Sequence, residues 1–295
     1  MRDVVEALTG IPDRGACTDA ERRAALWLHG DLRKRGYEAW VETVWVRPQW
    51  AWSLVWHGAL GVAVSLVSTA VPEVGLGAIL LAVSLALELV GVPVLSRLFY
   101  RRATQLVVVE PPGAGIKLWL VAATDAPRCG AGFRERWRRL LRRLPALWLA
   151  VASLVAVAIL GALRTAGIEG GAIGAVQLVP TVLLLACAAV ALDALLSDWS
   201  PGASEAGGVA VALALHEELT RRAPARLSVG LLLCGAGATF PYGFRAWRRS
   251  EKPVPADTVI VELGPCGSGE VAWTARHPLL VAAADGRRLP ARRPR

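Results

Sequence analysis

The chain has 295 residues, of which 54% are hydrophobic and only 19% are charged, and its mean hydropathy is +0.44. This balance is outside the range of ordinary soluble domains and predicts an integral membrane protein. The net charge of +9 comes mostly from Arg, clustered beside the apolar segments and in the tail ADGRRLPARRPR. We interpret these clusters as binding anionic lipid head groups at the bilayer, and we expect no nucleic-acid partner.

The cysteines and the N-terminus exclude two further classes. The five cysteines form no CxxC pair, and Cys187 lies inside an apolar segment. Neither a disulfide framework nor a zinc knuckle is therefore predicted, and a reducing compartment fits best. The N-terminal sequence MRDVVEALTGIPDRG has no apolar stretch, so we expect no cleavable signal peptide.

The first regular elements are a helix and a strand. Thr18 and Glu21 form the pattern of a capping box, and the helix that follows carries Ala24, Ala25, Leu28 and Leu32 on one face until Gly36 ends it. The alternating sequence YEAWVETVWV then predicts a strand running to Arg47 and Pro48.

Four apolar segments each have about the 20 residues needed to cross a bilayer. They form two hairpins and cover Trp50–Pro72, Val74–Leu95, Pro145–Ala166 and Ile173–Leu196. Small-residue runs, GALGVAV in the first segment and GGAIGAV near the fourth, favour close packing of helices rather than a pore.

The residues beside these segments predict their orientation. Basic residues lie at the ends away from the hairpin turns, at Arg97, Arg101, Arg102 and within Arg134–Arg143, whereas the turns carry only Glu73, Arg164 and Glu169. Aromatic residues collect at the same level, at Trp50, Trp52, Trp56, Phe99, Tyr100, Trp148 and Trp199. By the positive-inside rule we expect a multi-pass inner-membrane protein whose soluble part lies in the cytoplasm.

Since each hairpin returns to the same side, the soluble segments can build one domain. We therefore divide the chain into soluble segments 1–49, 100–144 and 198–295 and the transmembrane hairpins 50–99 and 145–197. Further strands are predicted at Gln105–Val109, Lys117–Ala122, Leu227–Leu233, Asp257–Leu263 and Glu270–Trp273, with a helix at Val209–Arg222. The runs LWLVAA and LSVGLLL indicate central strands covered on both faces, so the predicted class is α/β.

The segment Phe133–Leu144, FRERWRRLLRRL, has a different pattern. Its apolar residues share one helical stripe, and Arg occupies most other positions. This is typical of a helix lying in the plane of the membrane interface, although a charged helix packed on the domain would show a similar pattern.

Several short motifs, in order, resemble the co-catalytic zinc aminopeptidases of peptidase family M twenty-eight, in clan MH. LHGDLRKRGYEAWVETVWV is similar to the opening helix and strand of that family, and IKLWLVAATDAP to its strand ending in an Ala-His-Tyr-Asp-Ser box. SPGASEAGGVAVALALHEEL resembles its Gly-Ala-x-Asp-Asn-x-Ser-Gly loop and the helix after it. LSVGLLLCGAGATF resembles its strand ending in Glu-Glu, and DTVIVELGPCG its strand ending in Asp. The resemblance implies a three-layer phosphorylase/hydrolase-like sheet of the zinc exopeptidase type, interrupted here by the membrane hairpins.

Carried over residue by residue, the resemblance implies a degenerate metal site. The first His ligand falls on Ala123, the bridging Asp on Ser204 or Glu205, and the Glu-Glu pair of base and ligand on Ala236 and Gly237. Asp125 is retained, Glu262 stands where the family has an Asp, and His277 is the only nearby candidate for the terminal His. Family chemistry needs two zinc ions and a general base. We therefore expect no catalytic residues, no cofactor and no family-type peptidase activity.

Two alternatives stay open. A divergent membrane-bound metallohydrolase would need Asp125, Glu205 and Glu262, with His216 or His277, to converge on one zinc ion, although His216 has the pattern of the solvated end of a helix. A transport component would use Glu88, which the sequence places near the middle of the second span, where a carboxylate is expensive. Its candidate partners are His57, Gln177 and Asp193. The leading prediction is a non-catalytic cytoplasmic domain that binds an unknown protein or peptide partner.

Overall fold

A computed structural model of the chain describes residues 1–113, 115–130, 146–168, 170–222, 226–250 and 257–267. The described part is a mixed α/β domain joined to four helical segments that are long and apolar enough to span a membrane: Trp50–Val67, Pro72–Val90, Leu147–Thr165 and Gly171–Leu196. The helices are α1 (Arg2–Thr9), α2 (Asp19–Lys34), α3 (Trp50–Val67), α4 (Pro72–Leu76), α5 (Ala78–Val90), α6 (Ala146–Thr165), α7 (Gly171–Leu196), α8 (Ala203–Arg221) and α9 (Tyr242–Ser250). The strands are β1 (Ala39–Val46), β2 (Arg102–Val109), β3 (Ile116–Ala123), β4 (Leu227–Cys234) and β5 (Thr258–Leu263).

Within the described residues, these strands form one sheet in the order β1-β2-β4-β3-β5. β1 pairs antiparallel with β2, and β2 antiparallel with β4, whereas β3 runs parallel to both β4 and β5. The predicted central strands β3 and β4 do lie inside the sheet, and β4 is buried from Ser228 to Cys234. The predicted strand Glu270–Trp273 and the predicted interfacial helix Phe133–Leu144 lie outside the described residues.

Helices cover both faces of the sheet. On one face, α1, α2 and α8 pack on alternate strand residues, and their shared core includes Leu28, Val107, Leu120, Val209 and Leu231. On the other face, α9 packs through a second core that also holds the indole of Trp119 with its ring centre 5.0 Å from that of Trp247. The carboxyl ends of the parallel strands β3 and β4 lie together at one edge.

Helix α2 follows the predicted amphipathic pattern, but its cap differs in part. Thr18 caps the helix, because its hydroxyl accepts a hydrogen bond from the Glu21 amide at 3.2 Å. The Glu21 carboxylate, however, does not return to Thr18 and accepts the amide of Cys17 at 2.7 Å. The prediction of a reciprocal capping box is therefore wrong in its second half, because Glu21 is drawn into the core of the domain.

The membrane helices pack closely where small residues meet. A side chain at Gly58 or Gly61 would press on α7 or α6, since added Cβ atoms would lie 2.8 Å from Ala188 and 2.6 Å from Leu154. This agrees with the prediction for the GALGVAV run. The GGAIGAV run does not behave in this way, because added Cβ atoms at Gly171 and Gly174 meet nothing within 4 Å.

Candidate functional site

The edge formed by the carboxyl ends of β3 and β4 brings together four of the predicted site residues, Ala123, Asp125, Ala236 and Gly237. Ala123 ends β3, and an added Cβ at Gly237 would lie 3.0 Å from its methyl group. Asp125 follows β3, and its Oδ1 accepts the amides of Gly237 at 2.7 Å and Ala238 at 3.0 Å. The side chain of Asp125 thus binds the loop after β4 to the segment after β3.

A second carboxylate, from Glu21 of α2, binds the same loop. Glu21 is 1% exposed, and its Oε2 accepts the amide of Ala236 at 3.0 Å. Its Oε1 accepts the hydroxyl of Thr104 at 2.5 Å and the amide of Gln105 at 3.3 Å. Three successive amides of the loop, 236 to 238, therefore point at two buried acids. Ala236 lies in the left-handed region with φ of 49°, a strained conformation for a non-glycine residue that these bonds hold in place.

Arg14 places a positive charge in the core close to Asp125. Its side chain is 1% exposed, and its Nε donates to the carbonyl of Thr124 at 2.6 Å while Nη2 donates to that of Gly202 at 3.1 Å. A further bond from Nη1 reaches the carbonyl of Leu8. Burial lowers the pKa of Arg14, and the charges of Asp125 and Glu205 oppose this shift. One guanidinium therefore joins α1, the end of β3 and the start of α8.

The protonation of Asp125 follows from its surroundings. Burial first, and then the charge of Glu21, raise the pKa of Asp125 to about 7, while the amides of Gly237 and Ala238 act in the opposite direction. Burial likewise raises the pKa of Glu21, against the effect of its hydrogen bonds. Two neighbouring buried carboxyl groups thus share the edge of the sheet, and Asp125 titrates near neutral pH.

The other predicted site residues lie around this edge. Glu205 is buried in the first turn of α8 and accepts the hydroxyl of Ser204 at 2.9 Å. Glu262 is exposed on β5, level with Val121. His216 is 2% exposed against the ring of Tyr37, so the prediction of a solvated helix end is wrong at this residue. It lies near the far end of α8, more than two turns after Glu205. His277 lies outside the described residues.

The donor set does not fit a pair of zinc ions. Ala123, Ala236 and Gly237 offer no side-chain ligand, and Oδ1 of Asp125 is occupied by two amides. In the described ranges, no three His, Cys, Asp or Glu side chains come close enough together to hold a metal ion. A co-catalytic site needs several such donors around each ion. No hydrolytic step can therefore be assigned to these residues.

A cavity of about 460 Å³ lies between this edge and the membrane helices. We call it the interface cavity. Asp125 and Ala236 line it from the sheet, and Trp50, Trp52 and Ala194 line it from α3 and α7. Its wall also includes two cations and further aromatic side chains: Arg102, Arg128, Trp56, Trp199, Phe99, Tyr100, Phe240 and Tyr242. The carboxyl edge of a parallel sheet and a junction between structural units are both common places for ligand sites.

Six of the seven aromatic residues that the sequence assigns to the membrane interface line this cavity, Trp148 being the exception. Trp52 and Trp56 are also 42% and 48% exposed, so the cavity reaches the outer surface of the helices. Arg128 lies over the ring of Trp199 at 3.9 Å. The cavity thus combines a buried acid, an aromatic wall and positive charge at the level where α3 and α7 leave the apolar region.

Glu88 has a different position from the predicted one. It lies near the end of α5 rather than in the middle of a span, and its Oε1 accepts the amides of Val94 at 2.9 Å and Ser96 at 2.7 Å. His57 is buried and bonded to Ser53 within α3 and, across helices, to the hydroxyl of Ser84 at 2.9 Å. Glu88 therefore caps the chain as it leaves the helix, and its hydrogen bonds go to backbone rather than to His57.

Sequence reasoning missed the two residues that organise the edge. The sequence pattern predicts only a capping role for Glu21. Its place at the third position of α2 is the one signal that could have pointed to its role at this edge. Arg14 precedes α2 in a loop, where nothing in the sequence marks it as buried.

No family model, curated protein or solved structure matches the chain.

Proposed function

We propose that the protein is a membrane-anchored binding protein in which the α/β domain holds a ligand or partner segment in the interface cavity without hydrolysing it. The observation that carries this proposal is the engagement of Asp125 with the amides of Gly237 and Ala238. A carboxylate used in this way closes the loop after β4 and leaves an open, aromatic cavity beside it.

We further propose that the domain is a divergent relative of the zinc aminopeptidases of peptidase family M twenty-eight. The mixed sheet, and the meeting of Ala123, Asp125 and Gly237 at one edge, support this relationship. In this proposal Arg14 compensates buried negative charge in the domain core, where the family relies on metal ions. The three-layer hydrolase-like fold remains part of the proposal.

Co-purification tests the binding function directly. The full chain is extracted from membranes in a mild neutral detergent and examined by native mass spectrometry, with Trp199→Ala, which removes one cavity wall, as the variant. We expect a bound species on the wild type that is reduced on this variant. The matched control is Trp27→Ala, an exposed indole on α2 outside the cavity. Equal occupancy on both variants, or none on the wild type, would contradict the proposal.

Hydrolysis of aminoacyl p-nitroanilides in the presence of added zinc tests the alternative of a divergent metallohydrolase. We expect no turnover above that of a Glu205→Ala, Glu262→Ala variant. Zinc that co-purifies in stoichiometric amount and is lost from this variant would support the enzyme instead.

The location of the domain in the cytoplasm is also proposed, on the distribution of Arg around the spans. Cys129 is exposed in the domain and is a suitable reporter. We expect a membrane-impermeant maleimide to label it only after cells are opened, and labelling in intact cells would reverse the orientation.

A further inference from the structure

We propose that the interface cavity binds the phosphate of an anionic amphiphile, a lipid with a net negative head group, between Arg102 and Arg128. This inference rests on the proposed binding function and adds the chemical class of the ligand. Both guanidinium groups line the cavity together with an aromatic wall.

Arg128 is held in place and forms no ion pair within the described residues. Its Nη1 donates to the carbonyl of Ser197 at 2.7 Å, and its guanidinium lies 3.9 Å from the centre of the Trp199 ring. A guanidinium has five N–H groups, so most of its donors stay available for an oxygen anion. Burial lowers the pKa of Arg128, and the nearby charge of Arg102 adds to this shift against the opposing effect of Asp198.

Arg102 has a similar arrangement at the start of β2. Its Nη2 donates to the hydroxyl of Tyr100 at 2.6 Å, and its guanidinium lies 4.9 Å from the centre of that ring. Among the described residues, no carboxylate forms an ion pair with Arg102 or Arg128. Two cations that repel each other at one cavity create a site where an anion is favoured, and planar guanidinium groups match phosphate geometry.

The acid in the cavity does not cancel this charge. Asp125 is 2% exposed, and its Oδ1 faces the amides of Gly237 and Ala238. It therefore belongs to the protein's own network, with Glu21 and Arg14 as its charged neighbours. The two guanidinium groups are left as the charges available to a ligand.

The position of the cavity selects an amphiphile over a free anion. Trp52 and Trp56 line the cavity and are exposed on α3, and Leu195 lines it from the end of α7. Indole rings at this level favour the boundary between head groups and acyl chains. A volume of about 460 Å³ is in the range of small-ligand sites, so it can hold a head group and the adjoining part of an acyl chain.

The test uses the full chain in neutral detergent micelles and isothermal titration calorimetry. The probes are dihexanoyl phosphatidylglycerol, dihexanoyl phosphatidylcholine, glycerol 3-phosphate and inorganic phosphate, with empty micelles as the blank. We expect saturable binding of phosphatidylglycerol at least 10-fold tighter than of the other three. We expect Arg102→Gln and Arg128→Gln each to weaken it about 10-fold.

The matched controls are Arg97→Gln and Arg101→Gln, exposed juxtamembrane residues that do not line the cavity. Both should bind phosphatidylglycerol as the wild type does. Since Arg128 also holds the segment before α8, the exposed Arg102 provides the variant least able to disturb folding.

Each remaining outcome is decisive. Equal affinity for the two lipids, with no change in Arg102→Gln, would overturn this inference while leaving a binding cavity intact. Glycerol 3-phosphate or inorganic phosphate bound as tightly as the lipid would assign the site to a soluble phosphate compound and overturn the lipid source. If no probe binds saturably and nothing co-purifies with the chain, the proposed binding function itself fails.

Discussion

The membrane helices and the α/β domain bury polar groups in opposite ways. Between helices the buried contacts are neutral: Gln177 of α7 donates to the carbonyl and hydroxyl of Ser65 on α3, and His57 meets Ser84. In the domain the buried polar groups include four ionisable side chains, Arg14, Glu21, Asp125 and Glu205. The domain can hold charges because backbone amides bind Glu21 and Asp125 and backbone carbonyls bind Arg14.

This difference follows from the groups that can solvate a charge in each region. A charge in the hydrocarbon region has no water or spare backbone partners, so neutral side chains join the helices there. At the carboxyl edge of β3 and β4, free amides and carbonyls end each strand and can solvate a charge. Mutations should therefore have larger effects in the domain than in the bundle.

Arg14→Met should have the largest effect. It removes the one guanidinium that joins Leu8, Thr124 and Gly202, so their buried carbonyls lose a hydrogen-bond donor. The buried acids Asp125 and Glu205 also lose a nearby positive charge. Breaking a buried charge network in this way costs about 3–5 kcal/mol. Thermal and denaturant unfolding in detergent measure the loss. Arg22→Met, exposed on α2, is the control and should change stability by less than about 0.5 kcal/mol. Equal losses in the two variants would contradict the role of Arg14.

Asp125→Asn should change how stability depends on pH. Because the pKa of Asp125 is about 7 in the folded state and 3.8 when unperturbed, the folded protein binds more protons between these values, and its stability falls as pH rises through this window. Asn keeps an oxygen for the amides of Gly237 and Ala238 without ionising. We expect the variant to be more stable than the wild type by about 2–4 kcal/mol at pH 8 and not at pH 4.

Unfolding temperatures across this pH range provide the measurement for Asp125. Glu262→Gln, an exposed carboxylate on the neighbouring β5, is the matched control and should follow the wild-type curve. Parallel curves for the wild type and Asp125→Asn would show that burial does not raise the pKa of Asp125.

Gln177→Leu should have a moderate effect within the bundle. The change removes the bonds to Ser65 and to the hydroxyl of Ser68, which tie α7 to α3. Hydrogen bonds between membrane helices contribute about 0.6–2 kcal/mol, so we expect a loss in this range in a detergent denaturation titration. Leu178→Ala, whose side chain is 64% exposed on the next position, should lose less.

Glu88→Gln should have the smallest effect, about 1 kcal/mol or less, because Gln keeps an oxygen for the amides of Val94 and Ser96. Glu88→Ala should lose more, since it removes the acceptor. The variants are compared by unfolding and by proton flux into vesicles. A flux that wild-type protein supports and Glu88→Gln abolishes at unchanged stability would favour the transport alternative.

Local patterns predicted the elements well. The capped start of α2, the apolar spans and the strands β2 to β5 follow from periodicity and turn residues, and their observed bounds differ by a few residues at most ends. The first two spans shift more at their C-terminal ends, since α3 ends at Val67 and α5 at Val90. Glu88 consequently falls at a helix end, because the left-handed Gly91 closes α5 before the apolar sequence itself ends.

Of the candidate site, the sequence identified the strand ends that meet at the edge but not the groups that act there. Asp125, Ala236 and Gly237 follow from the motif order, whereas Arg14 and Glu21 reach the edge from positions distant in sequence. His216 was misjudged because the polar pair after it indicated solvent, although helical geometry turns its ring toward Tyr37 and the core.

The sequence by itself determined that four segments are long and apolar enough to span a membrane, because hydropathy and segment length depend only on local composition. It also identified β1 to β5 and most of the helices, although α1 and α9 were not predicted and α8 begins six residues before the predicted Val209. Only the tertiary structure decided how the buried charges are compensated and where the interface cavity lies. The bonds that do this join residues 110, 188 and 215 positions apart, so they exist only after the sheet has closed and the membrane helices lie beside it.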